Sequence, residues 1–306
     1  MRTAYINALS ELAAQDKNVI AMISDNGAIV YDDYRARFPK QYINSGIAES
    51  SMIAMAAGMA SRGKIPFAYT IGAFLAYRAL EFIRNDVCMQ NQNVKIVGTG
   101  AGFAYSSLGP THHVTEDIPI LRVMPNLLLL SPASPREVRN CVYAAYEHEG
   151  PTYIRLGTNR ESEIYESEYD FAVGKAVTLR EGHDVTLVGT GSIVGDVLQA
   201  ADRLEQEGIS VRVINVHTLK PFDEKAILKA AEETRGIVTV EEHSIYGGLG
   251  SLVSEVLAKH GCGKQMLSVG LRGFVQGYGS HREVKEANGL GIENIYQACH
   301  NLLELD

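Results

Sequence analysis

The sequence predicts an α/β protein built from two parallel-sheet domains. Three observations predict it. Short apolar runs rich in β-branched residues alternate with helical patterns, the alternation stops once in an acidic stretch, and it then resumes. At 306 residues the chain is long for one core and suits two.

In the first half, Val19–Ile23, Ile65–Tyr69, Val94–Val97, Leu127–Leu130 and Tyr153–Leu156 read as short buried strands. Thr3–Ala14, Ser50–Ser61, Phe74–Gln90 and Pro135–Glu147 read as the helices between them. Ser134 followed by Pro135 is a favourable N-cap and first-turn pair. Thr158–Asp170 then carries five acidic residues and one Arg, with neither period, and reads as a linker without chemistry of its own. Beyond it, strands are expected at Val185–Val188, Val211–Val216, Ile237–Val240 and Met266–Val269. Helices are expected at Ile193–Glu207, Glu224–Thr234 and Leu249–His260. The expected division is 1–157, a linker 158–174, and a smaller second domain 175–306.

Apolar residues make up 46% and charged residues 21%, the balance of a soluble globular protein. The net charge of −8, with no Lys/Arg-rich run, argues against nucleic acid or an anionic membrane as the main partner. Cys88, Cys141, Cys262 and Cys299 are far apart and read as small hydrophobes or free thiols. The opening MRTAYINALSELAAQ has no apolar run or cleavage site, and no stretch is long and apolar enough to span a bilayer. A cytoplasmic protein is expected.

Four segments could carry chemistry. Gly189–Gly195 (GTGSIVG) follows a strand and opens a helix, as a dinucleotide fingerprint does. Its third glycine comes one position late, and the next strand ends at Asn215-Val216-His217 without the acidic residue a ribose needs. A tight turn with close helix–strand packing is the better reading. In Asn44–Gly58, Glu49 opens a helix of Ala, Met and Gly that is apolar nearly all round and should be buried. A buried carboxylate there needs a partner, unless it only favours the helix N-terminus. In Tyr69–Glu81, Phe74 and Tyr77 share a helix face, as core aromatics also do. Gly98–His113 is a long Gly-rich loop after a strand, ending in His112 and His113. Loops at the carboxyl ends of parallel strands are where α/β proteins place ligands.

In this order, Gly46-Ile-Ala-Glu49, the Phe74 helix, Gly109-Pro-Thr-His112, an acidic linker and an α/β tail resemble the thiamine diphosphate superfamily, in its transketolase and deoxyxylulose-phosphate synthase branch. The resemblance covers essentially the whole chain. It implies a pyrimidine-binding domain followed by a transketolase C-terminal domain. It implies thiamine diphosphate as the cofactor, carrying the reaction as a ylid. Glu49 matches the family Glu that hydrogen-bonds the aminopyrimidine ring and promotes its imino tautomer. Phe74 matches the aromatic that stacks on the pyrimidine, Tyr77 a second aromatic beside it, and Asp25 an acidic residue near the cofactor. His112 matches the histidine facing the substrate, with His113 its neighbour, and Arg2 resembles an arginine that contacts substrate phosphate.

Relatives hold the diphosphate through Mg²⁺ bound by a GDG motif and a downstream Asn, and this sequence contains no GDG. The resemblance therefore implies a split enzyme. A partner N-terminal transketolase subunit would carry the diphosphate site and its Mg²⁺ (or Ca²⁺), in an α2β2 heterotetramer. Sugar-phosphate transketolases also place Asp at the position of Leu108 and a phosphate-contacting His at that of Gly100. They carry a second phosphate arginine near Gly157–Thr158, where only Arg155 and Arg160 are close. These departures imply transfer of a two-carbon ketol unit involving a non-standard sugar. The alternatives are a decarboxylating subunit, similar to deoxyxylulose-phosphate synthase or to the β subunit of a 2-oxoacid dehydrogenase, and a non-catalytic scaffold.

Overall fold

The computed structural model describes residues 1–26, 28–158 and 161–305. In chain order the first part comprises α1 (Arg2–Gln15), β1 (Val19–Ile23), α2 (Asp32–Arg37), β2 (Tyr42–Asn44), α3 (Glu49–Ala60), β3 (Ile65–Ile71), α4 (Leu80–Phe82), β4 (Lys95–Thr99), α5 (Asp117–Arg122), β5 (Leu128–Leu130), α6 (Pro135–Glu147) and β6 (Thr152–Leu156). The second comprises β7 (Val177–Arg180), β8 (Val185–Thr190), α7 (Val194–Gln206), β9 (Val211–Asn215), β10 (Thr218–Lys220), α8 (Glu224–Glu233), β11 (Gly236–Ser244), α9 (Leu249–Lys259), β12 (Gln265–Leu271), α10 (His281–Ala287) and α11 (Ile292–Glu304).

Two mostly parallel sheets result, so the fold is α/β as the alternation predicts. Their orders are β10-β5-β6-β4-β3-β1-β2 and β12-β11-β8-β9-β7. The central strands are buried along their whole length, which is why they read as mostly apolar runs without a polar face. Two strands depart from the parallel pattern. β7 closes the second sheet antiparallel to β9. β10 crosses to the first sheet and pairs antiparallel with β5, Thr218 facing Leu130. Neither is expected from the sequence, because three or four residues are too few to show a period. One apolar cluster accordingly runs from Met52, Ile53 and Leu129 through Val216 and Leu219 to Ile227 and Val253, joining the two halves.

Local signals hold where they are strong. α6 has the expected bounds, and the Ser134 hydroxyl accepts the Glu137 amide at 3.4 Å. α3 begins one residue before the expected Ser50, so Glu49 is its first residue. The expected helix Phe74–Gln90 is interrupted: Phe74–Arg78 and Ile83–Cys88 form π-helical turns on either side of α4. A π turn widens the spiral and redirects the side chains that follow, a frequent device beside functional sites.

The linker holds no helix or strand among its described residues, but it is more than a spacer. Tyr165 and Tyr169 stack at 4.1 Å, and their hydroxyls donate to Oε1 of the fully buried Glu137 at 2.7 and 3.0 Å. Asn215 Nδ2 in β9 donates to the same oxygen at 2.9 Å. Burial pushes the Glu137 carboxyl up, and these donors act against that push. α6, the linker and β9 are thus tied at one buried carboxylate. The Gly189 turn is a packing feature, since a Cβ there would stand 3.1 Å from Val194 Cγ2. All four cysteines are free. Among the described residues no helix is long and apolar enough to cross a membrane.

Lys95 in β4 is fully buried, and its ammonium donates to the carbonyls of His148 and Gly150 at 2.7 and 2.8 Å. Burial lowers its pKa to about 7. The unfolded chain therefore binds a proton that the folded chain does not between about pH 7 and 10.5. Stability is lost as pH falls through that window, by up to about 1.4 kcal/mol per pH unit from this group. Lys95→Met is expected to remove this slope, read from urea unfolding at pH 7.5, 8.5 and 9.5. An unchanged slope refutes the assignment.

Candidate active site

The carboxyl edge of the first sheet gathers the segments singled out above. β1 ends at Ile23, two residues before Asp25, β2 at Asn44, β3 at Ile71 and β4 at Thr99. Asp25, at a left-handed φ of 51°, exchanges two hydrogen bonds with Asn44: its amide donates to Oδ1 at 3.1 Å, and Nδ2 donates back to its carboxylate at 3.0 Å. Asn44 Oδ1 also accepts the Gly46 amide, and the Ser24 hydroxyl accepts the Ala48 amide. These bonds shape the turn that delivers Glu49. Asp25 itself is exposed, and its visible work is on this turn.

Glu49 is 2% exposed at the first position of α3, where the helix dipole favours a negative charge. Its Oε2 accepts a hydrogen bond from Arg78 Nη1 at 2.7 Å, while its Oε1 has no partner among the described residues. The Arg78 side chain is 52% exposed, so it covers the carboxylate from the solvent side. The same guanidinium lies 4.8 Å from the centre of the Phe74 ring. The His112 ring meets Phe74 edge-on, with centroids 5.1 Å apart. Glu49, Arg78, Phe74 and His112 thus form one continuous group. Sequence reasoning misses Arg78, although its spacing of four from Phe74 could have flagged it.

Tyr77 and His112 are placed by a second set of contacts. The Tyr77 hydroxyl donates to Glu116 Oε2 at 2.8 Å and accepts the Glu116 amide at 3.1 Å. Burial first, then the carboxylates of Asp117 and Glu116, raise its pKa, so it stays a neutral phenol. Tyr77 therefore anchors the segment just after the histidines. His112 Nδ1 meets the Thr111 hydroxyl at 3.0 Å, and its Nε2 has no partner among the described residues. His113 does not join the group. It is buried against Phe103, with both ring nitrogens unpartnered, and burial lowers its pKa. His112 ends a 3-10 turn (Pro110–His112) and His113 is the extended residue that follows, so the two rings leave the chain in different directions, which the sequence could not resolve.

The histidine loop is pinned at both ends. Gly102 and Val114 exchange backbone hydrogen bonds at 3.0 and 2.6 Å. Glu242 Oε1 in β11 accepts the Phe103 amide at 2.9 Å and pairs with His281 Nε2 at 2.8 Å. The Ser106 hydroxyl donates to the Gly279 carbonyl at 2.9 Å. Beneath the loop, the buried Arg155 pairs with Asp117 at 3.0 Å and donates to the Val114 and Glu242 carbonyls. Arg155 is therefore committed to the fold, and Arg160 lies outside the described residues. Leu108 is half exposed on the loop. Arg2 opens α1, with its amide donating to the Thr158 carbonyl at 3.2 Å.

Comparison with known proteins places this arrangement. Residues 1–160 match the transketolase pyrimidine-binding domain, and residues 174–295 match the transketolase C-terminal domain. The chain belongs to the transketolase family. That family implies dependence on thiamine diphosphate. One of the subunits of the apulose-4-phosphate transketolase of Phocaeicola vulgatus is 36% identical, over 99% of this chain and 96% of that one. The 6-deoxy-6-sulfo-D-fructose transketolase subunit SqwH of a Clostridium species is 36% identical, over 99% and 94%. A split-gene transketolase, solved as an inactive β4 tetramer, superposes with a TM-score of 0.89 at 37% identity, covering 99% of this chain and 98% of that one.

The residues present fit the pyrimidine end of the cofactor. A buried carboxylate keeps one oxygen free, an aromatic ring lies against the arginine that pairs with it, and a histidine nitrogen is open next to that ring. Among the described residues no group of three or more His, Cys, Asp or Glu could hold a metal ion.

Proposed function

We propose that this chain is the pyrimidine-binding subunit of a split transketolase-like enzyme that moves a two-carbon ketol unit from a ketose to an aldehyde. The observation that carries the proposal is Glu49, buried with one oxygen free and linked through Arg78 to Phe74 and His112. When bound, thiamine diphosphate supplies the carbon nucleophile that the side chains of a protein lack. Glu49 would accept a hydrogen bond from the aminopyrimidine ring of that cofactor and hold the charge that favours its imino form. Phe74 provides an apolar face for that ring, and Tyr77 fixes the wall beside it. Asp25 holds the turn before Glu49. His112 presents Nε2 to a hydroxyl or carbonyl oxygen of the substrate. Arg2 contributes positive charge at the same sheet edge. His113, buried behind the loop, is removed from the substrate contacts.

A partner chain supplies the diphosphate and Mg²⁺ site, and two copies of each chain form the working assembly. The names of the relatives support this reading, since one is a single subunit of its transketolase and another is a split-gene enzyme inactive as a β4 tetramer. The proposed boundaries are 1–157, 158–174 and 175–306. The proposed substrate is a non-standard sugar, in keeping with Leu108 and Gly100 and with the apulose 4-phosphate and sulfofructose named in the relatives.

Reconstitution with the partner chain tests the proposal. The expected result is lengthening of an aldehyde acceptor by two carbons from a ketose donor, with no carbon dioxide released from pyruvate. Decarboxylation without ketol transfer would refute it. Efficient turnover of xylulose 5-phosphate with ribose 5-phosphate would refute the substrate part alone.

A further inference from the structure

The loop that carries His112 leaves β4 through Gly100, at a φ of 83°. A Cβ at that position would stand 2.2 Å from Cε2 and 2.5 Å from Cδ2 of Tyr105. The Tyr105 ring is therefore packed directly on the Gly100 backbone, in space that any other residue would claim. It is half-buried, so part of it still faces outward.

Tyr69 of β3 lies close to this ring. Tyr69 is fully buried and stacks on Tyr5 at 5.5 Å. Its hydroxyl sits beside Thr99 and Arg2, yet makes no hydrogen bond of normal geometry. Burial raises its pKa to about 12, with the neighbouring Tyr105 adding to the push. Arg2 Nε is likewise buried and unpartnered. A buried donor without a partner gives up its bond to water and gains nothing in return. Two such atoms beside one another, one of them on the residue that neighbours the half-exposed Tyr105 ring, are what a site held ready for a polar ligand leaves behind.

We propose that Tyr105 determines which sugars this chain accepts. Its ring fills the space above Gly100, and its hydroxyl joins Tyr69 and Arg2 in facing the oxygen-bearing end of the substrate. The proposal rests on ketol transfer as the reaction. The ring acts as a wall of fixed size, and the three polar groups suit a terminus that accepts hydrogen bonds. A bulkier terminus is excluded by the ring rather than by charge.

The test uses the chain reconstituted with its partner. Substrates of matched length ending in hydroxyl, phosphate or sulfonate are compared through kcat/KM. Tyr105→Leu is expected to change the ratio between termini by at least about 10-fold, chiefly through KM, the size expected for a pocket contact. Turnover of glycolaldehyde as acceptor, too short to carry such a terminus, is expected to stay within about threefold. Tyr105→Phe keeps the ring on Gly100 and so preserves the packing; loss of the hydroxyl contact is expected to move the ratio by about threefold or more. Unchanged ratios in both variants overturn the role of Tyr105 and leave ketol transfer standing. An equal fall for all substrates, glycolaldehyde included, also overturns it. A wild-type complex without ketol transfer overturns both proposals.

Discussion

Glu49→Gln is expected to lower ketol transfer by the reconstituted complex by roughly 10²- to 10⁴-fold, the contribution of a well-placed acid–base group. The substitution keeps the shape of the side chain and removes its charge. Glutamine retains a carbonyl that can accept a hydrogen bond, but it no longer stabilises a protonated ring nitrogen. The Arg78 partner is half exposed and regains solvent when the ion pair is lost, so the folded chain tolerates the change. Association with the partner, measured by size exclusion, is expected to be unaffected. The loss should fall on kcat rather than on substrate KM, since in the proposed role the carboxylate acts on the cofactor and not on the substrate. A Glu49→Gln complex that turned over normally would favour the scaffold reading instead.

The largest effect on stability is expected from Asp117→Ala. Asp117 and Arg155 are 0% and 2% exposed, and the carboxylate also accepts the Tyr153 hydroxyl at 2.8 Å. His243 Nε2, 3.6 Å from Asp117 Oδ1, lies against the same carboxylate and faces the Ile118 amide. Removing Asp117 leaves the Arg155 guanidinium buried without its counter-charge. That costs about 3–5 kcal/mol, read as a shift of the urea transition. Replacing both partners, as Asp117→Leu with Arg155→Met, is expected to recover most of the loss, because the cost lies in the unpaired charge rather than in the absence of a bridge. If the double variant is as unstable as the single one, the pair is not the source. Arg155 also donates to the Val114 carbonyl at 2.7 Å, so the single variant should loosen the loop that carries His112 and reduce activity before it unfolds the chain.

Strand positions in both halves were legible because strands buried on both faces are mostly apolar and rich in β-branched residues; β1 is wholly apolar, and β4, β6, β8 and β9 keep that character around a few buried polar side chains. α6 was legible to the residue because its Ser-Pro start satisfies a local rule. β2, β7 and β10 were not legible. Each is short, and β10 owes its conformation to β5, which lies far earlier in the chain. The interruption of the Phe74–Gln90 helix by π turns left no mark in composition.

Glu49 shows the division most clearly. Its sequence neighbours say only that a carboxylate opens an apolar helix; the family motif supplies the rest. The α/β fold, the family and the segments that meet at the sheet edge all follow from the chain's own pattern, because periodicity and motifs are local properties. Folding in three dimensions was needed to show that Arg78 covers Glu49 and Phe74, that His112 and His113 part company, and that Tyr105 stands on Gly100. These are contacts between elements, set by how the loops at the strand ends pack on one another, and no local pattern encodes which atoms will touch.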